Sequence, residues 1–134
     1  MIILAALIGV CCGLGLIWVM YREGMFAERS GAAILLAAIA SFYPVFAAAE
    51  GDVGEIAVHI LIFAGFVALS FRAYRRGLLL LAGGLIAHGL FDVMIGLIGA
   101  PGPDWWPAFC AGVDIAAGVL LLQLIQTGKV RDEI

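Results

Sequence analysis

Charge is what this chain has least of. Charged residues make up 13% of its 134 positions, where a soluble domain carries about a quarter, and no polar stretch is long enough to form a water-soluble domain. Lysine and arginine are missing altogether from residues 1–21, 30–71 and 77–128. The three cysteines form no C-x-x-C pair, which argues against a dithiol relay of the vitamin-K-reductase kind. Neither H-E-x-x-H nor the E-x-x-H of di-iron bundles occurs, so neither of those metal sites is written here. Internal repeats, low-complexity tracts and domain boundaries are also absent, and no nucleic-acid partner is expected.

What is present is apolar. Hydrophobic residues account for 65% of the chain, and they gather into five runs: 1–20, 31–49, 53–71, 77–98 and 106–124. A helix needs about 20 such residues to cross the hydrocarbon core. The expected fold class is therefore all-α, a single integral membrane bundle of five transmembrane helices, with the lipid bilayer as its first partner. The odd number of spans excludes a simple internal duplication. Glycine and alanine in "CCGLG", "GAAILLAAIAS", "AGG" and "AGVDIAAG" give the helices small faces, and close packing is expected.

The position of each charge says more than the net value of -3. Arg22 and Arg29 lie between runs one and two, Arg72, Arg75 and Arg76 between three and four, and Lys129 and Arg131 in the tail. A five-span path puts all of them on one side, which the positive-inside rule makes cytoplasmic. The amino terminus is then expected to face outward and the carboxyl terminus to lie in the cytoplasm. The outer connections "EGDVGE" and "APGPDWWP" carry only acidic charge, in agreement. Run one has its basic residue after the apolar stretch rather than before it, so it is expected to be retained and not cleaved as a signal.

Several ionisable residues nevertheless lie within the spans. Glu55 with His59, His88 with Asp92, and Cys110 with Asp114 are each spaced i, i+4 and so share a helix face. At 1.5 Å per residue His88 falls roughly mid-membrane, Asp92 roughly 9 Å from the outer end, and Cys110 and Asp114 roughly 6 and 12 Å deep. Tyr43 lies about two turns below the outer end of its span. The inner halves carry only neutral groups such as Ser41, Ser70 and Gln123. Facing lipid would cost each ionised group on the order of 2.5 to 3.5 kcal/mol, so the three stripes are expected to converge on one polar pocket in the outer half, built by spans two to five.

The simplest use of such a pocket is interhelical glue, with His88 donating to Asp114 or Asp92 and Tyr43 to Glu55. Glu55 also suits the first turn of its helix, and His59 could reach outward to the interface. As a functional site, the pocket offers His88, Asp92, Asp114, Glu55 and Tyr43 for acid-base chemistry, and His88, Asp92, Asp114 and Glu55 as ligands for a divalent metal such as zinc, iron or manganese. Cys110 joins it through the face shared with Asp114, whereas Cys11 and Cys12 are expected to be buried by small-residue packing. Trp105 and Trp106 fit an aromatic belt and Pro107 a first helical turn; with His59 they are also candidates for the pocket wall or a lid, since their loop joins the His88/Asp92 span to the Cys110/Asp114 span. The expected role is binding, and transforming, a small or lipophilic ligand from the outer leaflet. Two alternatives are an accessory subunit of a larger membrane complex and an ion- or proton-coupled transporter working as a homo-oligomer.

The blocks "SFYPVF", "AHGLFD" and "PDWWPAFCAGVD" resemble the signature of an uncharacterised group of small bacterial multi-pass membrane proteins, roughly F-Y-P, then H-G-x-F-D, then P-x-W-W-P-x-F-C-x-x-x-D. The resemblance spans about two-thirds of the chain and implies interest in Tyr43, Pro44, Glu55, His88, Asp92, Trp105, Trp106, Pro107, Cys110 and Asp114. His59 lies outside the pattern. Similar proteins carry a histidine soon after the aspartate of H-G-x-F-D; Met94 and Ile95 stand there in this chain, one ligand fewer for a metal. The resemblance implies a site and no reaction.

Overall fold

A computed structural model describes residues 1–132. Among them are six helices and no strand: α1 (Ile2–Arg22), α2 (Ser30–Ala40), α3 (Phe42–Glu50), α4 (Val53–Arg76), α5 (Leu78–Ile98) and α6 (Trp106–Gln126). α2 and α3 together form one span, giving five helical segments long and apolar enough to cross a membrane. Leu7, Ile34, Leu61, Phe71 and Leu97 are exposed on the outside of the bundle while His88, Asp92 and Asp114 are buried inside it. That is the reverse of a soluble domain and suits a hydrocarbon surround.

α6 is the centre of the packing. It lies against α1 on one side and α5 on the other, while α4 covers α5, α2 and α3. Gly9, Gly13, Ile17 and Met20 form the buried stripe of α1, and its two glycines set the contact with α6. A Cβ placed on Gly9 would stand 2.1 Å from the carbonyl oxygen of Phe109, one on Gly13 2.2 Å from that of Val113, and one on Gly112 2.3 Å from that of Ala6. The two backbones touch, as small-xxx-small faces permit. Cys11 and Cys12 lie off this stripe and are exposed, which corrects the expectation that they pack inside; a helix held by one narrow seam turns its other faces outward.

The second span is broken where the apolar pattern suggested a continuous helix over 31–49. Pro44 has no N–H to give the carbonyl of Ala40, and its ring crowds that carbonyl. The backbone tightens at Ser41, whose N–H reaches Ala38 O at 3.2 Å and whose hydroxyl donates to the same oxygen at 2.7 Å. Past the break, Val45 N–H returns to Ser41 O at a long 3.4 Å. The third span runs five residues beyond the expected end at Phe71, because Arg72, Arg75 and Arg76 continue the helix and favour its negative C-terminal pole. Gly77 alone then joins α4 to α5, at φ 144°, a backbone state side chains rarely adopt.

The apolar core sits toward the basic end, where Ile17, Leu36, Leu78, Leu81, Leu85, Leu121 and Leu124 meet. The opposite half of the bundle is left to the polar groups.

Gly13 and Gly15 provide a matched test of the α1–α6 seam, since a Cβ on Gly15 meets nothing within 4 Å. Gly13→Ala is expected to lower the thermal stability of the protein in mild detergent, by about 1–3 kcal/mol for an overpacked contact. Gly15→Ala is expected to leave it unchanged or raise it by up to about 1 kcal/mol through helix propensity. Equal effects from the two would contradict this packing.

Candidate functional site

Three helices bring their polar side chains to one point. α5 supplies His88 and Asp92 on one face, α6 supplies Asp114, and the first turn of α3, just past the Pro44 break, supplies Tyr43. Relative exposures are 1% for His88, 0% for both aspartates and 2% for Tyr43, so water does not stabilise these groups and they rely on one another.

His88 Nδ1 lies 2.7 Å from Asp114 Oδ2 and 3.3 Å from Asp92 Oδ2. A carboxylate at the shorter distance makes Nδ1 the protonated nitrogen, donating to Asp114. Tyr43 Oη donates to Asp92 Oδ1 at 2.8 Å, rather than to Glu55. Two acceptors are left over: Asp92 Oδ2 and Asp114 Oδ1 are buried with no hydrogen-bond partner among the described residues. An unpaired buried polar atom is costly, and two of them lie within this one cluster. One donor atom from each of His88, Asp92 and Asp114 lies within 4.8 Å of the others.

The short aspartate side chains reach His88 because α5 and α6 are packed at close range. A Cβ on Gly89 would come within 2.7 Å of Ile115 Cγ1 and 3.2 Å of Asp114 Cβ, and one on Gly118 within 2.8 Å of Ala82 O. Phe66 presses edge-on to the imidazole, ring centroids 4.6 Å apart, and Phe91 meets Tyr43 at 85°. These aromatic walls hold the ring planes; Phe91 is the phenylalanine of the H-G-x-F-D block, whereas nothing in the sequence distinguished Phe66 from ordinary lipid-facing or core phenylalanine. Gly89, directly beside His88, was the available clue.

The third stripe divides. His59 is buried, with its ring stacked on Tyr43 at 5.5 Å, and its Nδ1 has no hydrogen-bond partner among the described residues. It backs the phenol instead of reaching outward. Glu55 stays at the helix end: its side chain is 56% exposed and contacts only His59 Nε2, at 3.3 Å. Asp52 caps α4 by accepting from Glu55 N–H at 3.0 Å, which fixes Glu55 in the first turn. It is therefore not one of the clustered donors, and the expected four-ligand set reduces to His88, Asp92 and Asp114.

Cys110 is buried one turn above Asp114. Along with Asp114 it lines a lateral crevice of about 430 Å³ between α1, α2–α3 and α6, whose other walls include Leu16, Leu35, Ile39, Phe42, Phe109 and Val113. Trp106 also lines this crevice and packs on Phe42 and Phe46 at 4.8 and 5.2 Å, while Trp105 is more exposed. Pro107 is buried against α5, where a Cβ on Gly96 would meet it at 3.0 Å. The connecting loop is fastened to α3 by Gly102 N–H donating to Glu50 Oε1 at 2.6 Å.

Because His88 and Asp114 share one desolvated bond, their removal is expected to be strongly non-additive. His88→Leu or Asp114→Leu alone strands a buried partner and should cost about 3–5 kcal/mol. The double variant should cost clearly less than the sum, measured by unfolding in detergent. Additive losses would contradict direct pairing.

No protein-family profile, no curated protein and no solved structure matches this chain. The functional reading therefore rests on the chemistry of the side chains.

Proposed function

We propose that this is a multi-pass protein of a bacterial inner membrane, amino terminus outside and carboxyl terminus cytoplasmic, that binds and chemically engages a lipophilic ligand carrying a polar head. The observation that carries the reading is the pair of unpartnered carboxylate oxygens on Asp92 and Asp114, the second belonging to a residue that lines an apolar crevice at the side of the bundle. An amphiphile diffusing in the bilayer fits such a site: its chain lies along Leu16, Leu35, Ile39 and Val113, and its hydrogen-bond donor meets Asp114. The volume of about 430 Å³ falls within the usual range for small-molecule sites.

The chemistry open to these groups is proton transfer. An imidazole oriented through Nδ1 by a carboxylate is the usual general acid-base arrangement, and Tyr43 adds a second proton donor held by Asp92. Asp114 and Asp92 act as charge partners. Glu55, outside the cluster, is left in the first turn of α4, where it holds His59.

A second reading is favoured by the same donor set. One imidazole and two aspartates with spare oxygens suit a hard or borderline divalent ion such as manganese, iron or zinc, and two carboxylates neutralise its charge in a site remote from water. Such an ion would supply Lewis-acid chemistry, with His88, Asp92 and Asp114 holding it.

Purification in a mild detergent followed by lipid extraction and mass spectrometry tests the main reading. A lipophilic compound at near-stoichiometric amount is expected with the wild-type protein, and its loss with Val113→Trp, which fills the crevice. Equal amounts bound by both proteins would overturn it. Metal analysis of the same samples tests the second reading: an ion retained by wild type and lost in Asp92→Asn supports it, and no ion above background in wild type removes it.

A further inference from the structure

At the basic end of the bundle, remote from the His–Asp cluster, the connection before α2 and the tail after α6 enclose a basin of about 410 Å³. Arg29, Lys129 and Arg131 line it, together with Tyr21 over a floor of Phe26 and Val130, both buried. Three cations from opposite ends of the sequence thus surround one concavity. No carboxylate side chain lines it, and none of the three cations is ion-paired with one, among the described residues.

The backbone is strained to achieve this. Arg29 is the one non-glycine residue with positive φ among the described residues, at φ 55° and ψ -19°, a conformation that costs a side-chain-bearing residue and recurs at binding sites. Its Nη2 donates to the main-chain oxygen of Asp132 at 2.6 Å, drawing the tail across the bundle. Asp132 turns its carboxylate away, with Oδ1 accepting from Leu79 N–H at 2.8 Å. The carboxylate nearest in sequence to Lys129 and Arg131 is therefore engaged at the start of α5. Arginine has five donors, so the guanidinium retains most of its capacity for the basin. The positive-inside rule accounts for cations at this end; Arg72, Arg75 and Arg76 satisfy it equally, yet they do not line the basin.

We propose that this basin binds a phosphate ester, in the form of the headgroup of an anionic phospholipid in the leaflet at the basic end. Arginine matches phosphate oxygens through paired N–H groups and lysine adds a point charge. Basic pockets between membrane helices hold anionic headgroups by this means. The volume exceeds that of a bare phosphate ion and leaves room for a glycerol unit, and the apolar floor suits the start of acyl chains.

The test uses the full-length protein in mild detergent, titrated by calorimetry with dihexanoyl phosphatidylglycerol, dihexanoyl phosphatidylcholine or sn-glycerol 3-phosphate. Saturable binding of phosphatidylglycerol is expected, with affinity weakened about ten-fold or more by Arg29→Gln or Lys129→Gln, as loss of a charged hydrogen bond implies, and unchanged by Arg72→Gln. Tighter binding of glycerol phosphate than of the lipid would support the phosphate site and overturn the headgroup assignment. Equal binding of phosphatidylcholine, or equal weakening by Arg72→Gln, would overturn the proposal, since general attraction to the basic end would then suffice. Arg131→Gln, on the exposed tail, provides a variant that does not disturb the Arg29–Asp132 contact and is expected to weaken binding as well.

Discussion

A carboxylate inside a bundle of apolar helices has only other protein groups to turn to, and the rest of this structure follows from how Asp92 and Asp114 are accommodated. Each is completely buried, and each takes one hydrogen bond: Asp114 from His88 and Asp92 from Tyr43. Aspartate is short, so these bonds require backbones at close range. Gly89 and Gly118 bring α5 against α6, and the Pro44 break starts a new helix at the turn that carries Tyr43. Glycine on one interface and proline on another thus serve the same pair of side chains. The α1–α6 seam of Gly9, Gly13 and Gly112 secures α6 from its other flank.

The bundle divides its labour along its length. Leucine and isoleucine fill the half toward the basic end, where close packing and the Gly77 corner provide rigidity. The polar cluster occupies the other half, with aromatic rings from α3, α4 and α5 around it. A crevice between α1, α2–α3 and α6 reaches Asp114 from the side. Within the cluster, Asp92 Oδ2 and Asp114 Oδ1 have no hydrogen-bond partner among the described residues.

The five spans were legible because hydrophobic length is a coarse quantity that single residues rarely disturb. The convergence of His88, Asp92 and Asp114 was legible from i, i+4 spacing and the cost of facing lipid. Glu55 misled for a definable reason: the same spacing linked it to His59, but a residue in the first turn at a helix end reaches solvent, and the penalty that drives burial does not apply there. Cys11 and Cys12 misled because composition says that small faces exist, not which face is used; α1 has one neighbour seam and its glycines occupy it. The break at Ser41 was encoded in Pro44, four residues past the middle of an apolar run that concealed it. Phe66 carried no signal, since an aromatic residue in a membrane helix is as suited to lipid as to a site wall, whereas Phe91 stands in the H-G-x-F-D block.

The central claim, that side chains from separate spans meet at a single buried point, is tested most directly by solid-state NMR of the protein in lipid bilayers. With 15N-histidine and 13C-aspartate labels and His59 replaced by Phe, the imidazole Nδ1 of His88 should show a direct dipolar contact with the Asp114 carboxylate carbon, a signal that is absent from Asp114→Asn protein. A His88 ring without any carboxylate contact, or one exposed to water or lipid, would contradict the account.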